Sequence, residues 1–321
     1  MSPKRRITAA ALTALVLSLP AAAQPASPPP APAKQADEPD IAYAAFERGQ
    51  YLTALAEATK RAQKNDPVAM TLIGEIYANG LGVGRDDSKA AQWYKLAAAG
   101  GDRNAMFALA MFKFEGRAGP RNETEGAQLL AAAAKLGHPA AAYDLGLLYL
   151  QGKQFPQDFA HAAELFRQAA DAGNPQAQYA LATMYKEGHG VPKDLREAMK
   201  LMQQASIAGD LDAIVEFAIA EFNGEGTARD ETAAAKLFLK AAKRSSAIAQ
   251  DRLARILMAG RGMPVDAAGA IKWHLIAKAQ GDSDPELDAF AAKQPQAVRD
   301  AADKAAKKWL STAPPPSLTR P

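Results

Sequence analysis

The strongest constraint on the fold is a repeat of 36 residues that runs through most of the chain. An alanine column and a glycine column each recur six times at this spacing, in register and without an insertion. Their members are Ala69, Ala105, Ala141, Ala177, Ala213 and Ala249, and Gly80, Gly116, Gly152, Gly188, Gly224 and Gly260. A period of this size predicts a solenoid, in which each unit buries its apolar face against its neighbours.

Each unit has the pattern of two helices. The first helix follows a column of N-cap residue types and ends at the glycine column, where glycine readily adopts a left-handed C-cap. The loop then ends at a second column of Asp or Asn, which we expect to cap the second helix. The first column is Asp66, Asp102, His138, Asn174, Asp210, Ser246 and Asp282, in which we expect every side chain except His138 to accept a cap hydrogen bond. The second is Asp86, Asn122, Asp158, Asp194, Asp230 and Asp266.

The pattern A-x-x-x-L-G-x-x-Y-x-x-G-x-G-V-x-x-D-x-x-x-A-x-x-W/Y-x-x-x-A-A-x-x-G resembles the Sel1-like repeat, a relative of the tetratricopeptide repeat. It is clearest in AMTLIGEIYANGLGVGRDDSKAAQWYKLAAAGG (69–101) and AQYALATMYKEGHGVPKDLREAMKLMQQASIAG (177–209). The resemblance covers six repeats at residues 67–282. It implies an all-α, right-handed α-solenoid of helix-turn-helix repeats.

Shorter segments flank the six repeats. Residues 41–66 fit a partial repeat that forms an N-terminal cap, because Ala54, Ala58 and Ala62 lie 36 residues before Ala90, Tyr94 and Ala98. Residues 283–311 predict two closing helices with a polar outer side, as a terminal cap requires. We expect residues 312–321, which include three consecutive prolines, to form a disordered tail.

The N-terminal residues predict export. A basic stretch at Lys4, Arg5 and Arg6 precedes an apolar run of thirteen residues and three alanines, which is typical of a signal peptide cut after Ala23. Such a run is shorter than the ~20 residues of a membrane-spanning helix. Six prolines among residues 24–40 predict a disordered linker. The protein is therefore expected in a bacterial periplasm or outside the cell, with general secretion and twin-arginine export both left open.

Charge and composition exclude several functional classes. The chain has 38 basic and 35 acidic residues, and loss of residues 1–23 reduces the basic residues to 35. A balanced mature chain gives no electrostatic reason to expect nucleic acid as a partner. Because the chain has no cysteine, it can contain no disulfide, cysteine-ligated zinc or thiol nucleophile.

We find no catalytic, cofactor-binding or metal-binding motif. His161 and Glu164 form an H-x-x-E pair, but zinc usually needs three or four ligands. His189 lies at a loop position that varies between repeats, and His274 is expected to be a half-buried core residue. The Gly-x-Gly loops have no preceding strand, so we assign them to turn geometry rather than to phosphate binding.

The best candidate for a binding surface is the concave face that first helices form in tetratricopeptide-like solenoids. Counted from the Leu-Gly pair of the motif, its positions are 68, 71, 75 and 78 and their 36-residue equivalents. These positions include an apolar set that we expect to bind a partner: Phe107, Met111, Phe114, Tyr143, Leu147, Tyr179, Phe222 and Met258, together with Leu150 and Ile219. The alternative is that most of these residues only pack between helices.

The resemblance implies a non-catalytic scaffold or regulator in the cell envelope, with an envelope protein such as a sensor or an assembly factor as partner. Two alternatives remain open. One is a β-lactamase-like or other cell-wall hydrolase, since some secreted Sel1 relatives are linked to β-lactam binding or hydrolysis, although those are rich in cysteine. The other is a peptidoglycan- or polysaccharide-binding module. The sequence does not predict the oligomeric state.

Overall fold

A computed structural model describes residues 40–312, which form sixteen helices and no strand. The helices are α1 (Ile41–Glu47), α2 (Tyr51–Ala62), α3 (Pro67–Asn79), α4 (Asp87–Ala99), α5 (Arg103–Glu115), α6 (Glu123–Lys135), α7 (Pro139–Gln151), α8 (Phe159–Asp171), α9 (Pro175–Glu187), α10 (Leu195–Ala208), α11 (Leu211–Asn223), α12 (Glu231–Ala242), α13 (Ala247–Ala259), α14 (Ala267–Ala279), α15 (Pro285–Ala292) and α16 (Gln296–Thr312). The predicted signal peptide lies outside the described residues, as do the linker up to residue 39 and the tail from residue 313.

Side-chain caps set the start of every helix in the six repeats. The predicted Asp or Asn of each loop accepts a backbone hydrogen bond from the second helix, for example Asp86 from Lys89 and Asp266 from Gly269. Each first helix ends at its column glycine, which has positive φ. The sequence analysis expected His138 not to accept a cap hydrogen bond, and this expectation is wrong. The Nδ1 atom of His138 accepts a hydrogen bond from the Ala141 N–H at 3.1 Å. A neutral imidazole nitrogen has the lone pair that a cap requires.

The helices pack in sequential pairs, and each second helix also contacts the first helix of the next repeat. Small residues allow close approach inside a pair. A Cβ atom at Gly74 would overlap the ring of Tyr94, and one at Gly146 would overlap the ring of Phe166. Phe166 is completely buried, so the aromatic residue of the second helix fills the space that glycine leaves in the first.

Glycine in the inter-helix loops serves close packing between repeats. Gly190, Gly226 and Gly262 all have φ near +70°, and a Cβ atom on any of them would overlap a backbone carbonyl of the preceding repeat. The carbonyls belong to the first residues of α8, α10 and α12. The Gly-x-Gly pattern therefore has a structural cause in these three loops.

The C-terminal end differs from the sequence prediction in two details. Helix α15 is capped by Asp284, which accepts hydrogen bonds from Glu286 and Leu287, and not by Asp282. The helix starts two residues later than the repeat predicts because Pro285 occupies its first position, where a missing N–H is tolerated. Helix α16 packs mainly on α14. His274 of α14 is 1% exposed, so it is fully buried rather than half-buried.

Candidate functional site

The candidate site lies on the first helices of the repeats, α3, α5, α7, α9, α11 and α13. We call the surface formed by their partly exposed side chains at positions 71, 75 and 78, and at the equivalents of these positions, the first-helix face. All ten apolar residues predicted for partner binding are half-buried. Each packs against the hydrophobic core while keeping part of its surface accessible. They are Phe107, Met111, Phe114, Tyr143, Leu147, Leu150, Tyr179, Ile219, Phe222 and Met258.

Ring contacts hold several of these side chains in place. Phe107 stacks on His138 with ring centroids 4.5 Å apart, and Tyr143 lies 5.6 Å from Phe166. The ring of Phe114 occupies the space that Gly126 leaves open on the second helix of the same repeat. Aromatic side chains fixed in this way lose little conformational entropy when a partner binds.

Acidic side chains lie beside the middle of the first-helix face, at the equivalents of positions 68 and 72. Asp144 forms no hydrogen bond or ion pair with any described residue, and burial raises its pKa to about 6. Burial also raises the pKa of Tyr179 to about 12, and the charges of Glu216 and Asp212 add to this increase. Lys186 provides one counter-charge, because its Nζ atom lies 2.8 Å from Oε2 of Glu216.

The face ends in a pocket at its C-terminal side. The pocket has a volume of about 410 Å³ and brings together Ile219 and Phe222 of α11 with Met258 of α13. Three arginines, Arg252, Arg255 and Arg261, also line it. Thus the structure places Ile219, Phe222 and Met258 in one cavity, whereas the other seven predicted residues are distributed along the preceding repeats.

Sequence reasoning missed the arginines of this pocket. Arg255 occupies one of the inward positions counted from the motif, and Arg252 precedes it by three residues, so both lie on the same side of α13. A search of the inward positions for charge as well as for apolar residues would have found Arg255. Arg261 lies in the loop after α13 and could not be placed on the face from helical spacing.

The other histidines have separate surroundings. His161 lies 3.4 Å from Glu164 on the exposed side of α8, and His189 pairs with Glu187 at 3.0 Å. His274 Nε2 lies 2.8 Å from Oδ1 of Asp288, and this hydrogen bond is the main reason why the pKa of Asp288 is lowered. No group of three or more His, Asp or Glu side chains within residues 40–312 is arranged to hold a metal ion. None of the sixteen described helices is long and apolar enough to span a membrane.

Helix pairs stacked in sequence, with their first helices sharing one face, define a tetratricopeptide-like α-solenoid. The chain belongs to the Sel1 repeat family, because the Sel1 repeat matches six consecutive segments. These segments are 67–102, 103–138, 139–174, 175–210, 213–246 and 247–282. The matches confirm the family and the six repeats predicted from the sequence, and no family of enzymes is among them.

Solved structures share this fold. A Sel1 repeat protein from Oxalobacter formigenes is 26% identical, with a TM-score of 0.64, and the match covers 76% of this chain and 97% of that chain. A protective antigen of uropathogenic Escherichia coli, described as displaying an SLR fold, is 24% identical with a TM-score of 0.56. That match covers 85% of this chain and 68% of the antigen, and it shows the fold alone. A comparison with curated proteins finds no match.

Proposed function

We propose that this Sel1 repeat protein is a non-catalytic scaffold or regulator of the bacterial cell envelope that holds a segment of a partner protein on its first-helix face. The observation that carries the proposal is the row of half-buried aromatic, Met and Leu side chains along α5, α7, α9, α11 and α13. Solenoid proteins use extended surfaces of this kind for binding. Aromatic residues that keep part of their surface accessible are frequent anchors in protein interfaces.

The packing of these side chains supports a face that is formed before the partner arrives. Phe107, Phe114 and Tyr143 are each held by a ring or by a glycine gap within the solenoid. The conformational cost of binding would then fall mainly on the partner segment. An extended or helical protein segment fits such a face, because its side chains can engage successive repeats.

The cellular location is part of the same proposal and rests on the sequence. A basic n-region, an apolar run and an alanine-rich cleavage site predict that the chain is exported and cut after Ala23. N-terminal sequencing of the protein recovered from periplasmic and culture fractions tests this point. Recovery of a chain that still begins at Met1 in the cytoplasm would contradict it.

The binding proposal is tested by alanine substitutions at Phe107, Tyr143 and Tyr179. We expect each variant to retain a helical circular-dichroism spectrum and to capture less of the partner from an envelope extract, as quantified by mass spectrometry. Truncation of a half-buried aromatic anchor commonly costs about 2 kcal/mol of binding free energy, which corresponds to more than a tenfold loss of affinity.

Two control variants separate binding from folding. Leu96 of α4 is 55% exposed on a second helix, so Leu96→Ala should leave capture unchanged. Phe166 is fully buried, and Phe166→Ala should lower stability by about 3–5 kcal/mol. If all three face variants instead lose their helical spectrum, the residues are core and the proposal fails. Binding to purified sacculi in place of envelope protein would favour the glycan-binding alternative.

A further inference from the structure

We infer that the C-terminal pocket of the first-helix face binds an acidic side chain of the partner segment together with an adjacent apolar side chain. The inference rests on the proposed function and specifies the chemistry of the partner at one end of the face. The pocket volume of about 410 Å³ lies within the range of about 300–1,000 Å³ that is usual for binding pockets.

The apolar part of the pocket is formed by three half-buried side chains. Ile219 and Phe222 project from α11, and Met258 projects from α13. All three pack against the hydrophobic core of the last two repeats, and this packing fixes their positions. Methionine adapts to irregular apolar shapes, which suits a pocket that receives a Leu, Ile or Phe side chain.

Arg252 supplies an uncompensated positive charge at the pocket. Its side chain is exposed and forms no hydrogen bond or ion pair with any residue in the described part of the chain. A guanidinium group presents several donors that match the geometry of a carboxylate. A partner carboxylate can therefore bind Arg252 without displacing an existing interaction.

Arg261 adds a second, partly compensated charge. Its guanidinium group lies 4.2 Å from the centroid of the Phe222 ring, and its Nη2 atom lies 2.5 Å from Oε1 of Glu231. Arg229 binds the same carboxylate of Glu231. Since two guanidinium groups share one carboxylate, a net positive charge remains beside the apolar floor of the pocket.

Arg255 has a different role, because three carboxylates already surround its single positive charge. Its guanidinium nitrogens lie 2.5 Å from Oδ2 of Asp284 and 3.0 Å from Oε2 of Glu286, and Asp251 lies 3.5 Å away. Glu286 also lines the pocket, with its carboxylate held by Arg255. Arg255 therefore fixes the wall of the pocket, and Arg252 and Arg261 are the groups left to receive a ligand carboxylate.

This arrangement favours an acidic-apolar protein segment over the alternatives. A Lys or Arg side chain beside Arg252 would be repelled by that guanidinium group, whereas a carboxylate can pair with it. Complementary charge next to an apolar anchor is a common way to obtain both affinity and specificity.

The experiment is a selection of displayed random peptides on the full-length protein. Enriched peptides are synthesised, and their Kd is measured by fluorescence anisotropy on the wild type, on Arg252→Glu and on Lys236→Glu. Lys236 is exposed on α12 and makes no ion pair with any described residue, so it gives a matched charge-reversal control. A circular-dichroism spectrum of each variant confirms that it is folded.

We expect the enriched peptides to contain Asp or Glu beside an apolar residue. Arg252→Glu should then weaken their binding about tenfold or more, and Lys236→Glu should leave Kd unchanged within about twofold. Replacing the peptide carboxylate by its amide should remove the difference between wild type and Arg252→Glu.

Two other outcomes overturn the inference in distinguishable ways. Peptides that lack a carboxylate, bind equally well to wild type and Arg252→Glu, and lose affinity on Tyr143→Ala overturn the assignment of the pocket but leave the proposed function standing. If no enriched peptide depends on Tyr143, Phe222 or Arg252, both the pocket and the first-helix face are wrong as binding surfaces.

Discussion

At the scale of single residues, equivalent positions of the repeats have the same role even where their amino acids differ. The N-cap of the first helix is Asp, Asn or Ser in five of the six repeats and His138 in the remaining one, and each side chain accepts a backbone hydrogen bond. His138 differs from the others in its chemistry, because histidine has an unperturbed pKa of about 6.5, closer to neutral pH than that of Asp. Burial and the nearby charge of Arg103 lower its pKa, so the neutral form that caps α7 is favoured in the folded protein.

His138 should make stability depend on pH. Because its pKa is lower in the folded protein, the unfolded chain takes up the proton first as the pH falls below about 6.5. The contribution of the cap is thus present above that pH and is lost as the pH falls through the folded-state pKa. His138→Asn, which copies Asn174 of the next repeat, keeps an acceptor that does not titrate.

We expect the free energy of unfolding to fall less for His138→Asn than for the wild type between about pH 7.5 and about pH 5. A typical N-cap contributes about 1 kcal/mol, and solvent screening of a partly exposed group makes the difference smaller. Urea denaturation at the two pH values measures it, and His189→Asn, at an exposed loop histidine, is the control. An identical pH dependence for wild type and His138→Asn would contradict the role of His138 as a cap.

At the scale of helices and loops, glycine has two different functions. Gly281 lies in the connection between α14 and α15 with φ at +94°, and a Cβ atom there would meet nothing within 4 Å. Gly262 also has positive φ, but a Cβ atom there would overlap the carbonyl oxygen of Glu231 in the preceding repeat. Both positions need a left-handed backbone, and only Gly262 also needs the absence of a side chain.

Alanine substitutions should separate these two requirements. Gly281→Ala is expected to lower the free energy of unfolding by about 1 kcal/mol, because only the left-handed backbone becomes strained. Gly262→Ala should lower it by about 1–3 kcal/mol more, because the loop must move away from the start of α12. Thermal unfolding followed by circular dichroism measures both variants. Equal losses would show that close packing between repeats is not the reason for glycine at position 262.

The repeat pattern is enough to predict most elements of the fold from the sequence. Helix starts follow from Asp and Asn caps, and helix ends follow from the glycine column, since both are local preferences. The start of α15 is not predictable from the repeat, because Pro285 shifts the cap from Asp282 to Asp284.

Only part of the lining of the C-terminal pocket is predictable from the sequence. Phe222 and Met258 follow from helical spacing, whereas the position of Arg261 depends on how its loop packs against the ring of Phe222.

At the scale of the whole solenoid, stacking between neighbours produces one shared surface. Equivalent contacts link successive repeats, such as the buried Gln178 and Gln250, which donate to the carbonyl oxygens of Ala170 and Ala242. Because each repeat is positioned by the one before it, the half-buried side chains of the first helices lie on a common face. A partner segment that binds this face would contact several repeats at once. The acidic side chains beside the middle of the face and the arginines at its C-terminal end would set the orientation of that segment along the solenoid.

The central claim is that the partner binds the first-helix face, and site-specific photocrosslinking in living cells tests it most directly. A photoreactive phenylalanine analogue, which keeps an aromatic ring, is placed at Tyr143 on the first-helix face or at Gln128, which is exposed on the second helix α6. Adducts are then identified by mass spectrometry. We predict a discrete adduct to an envelope protein from position 143 and none from position 128. The account is contradicted if position 143 gives no adduct, or if both positions give the same one.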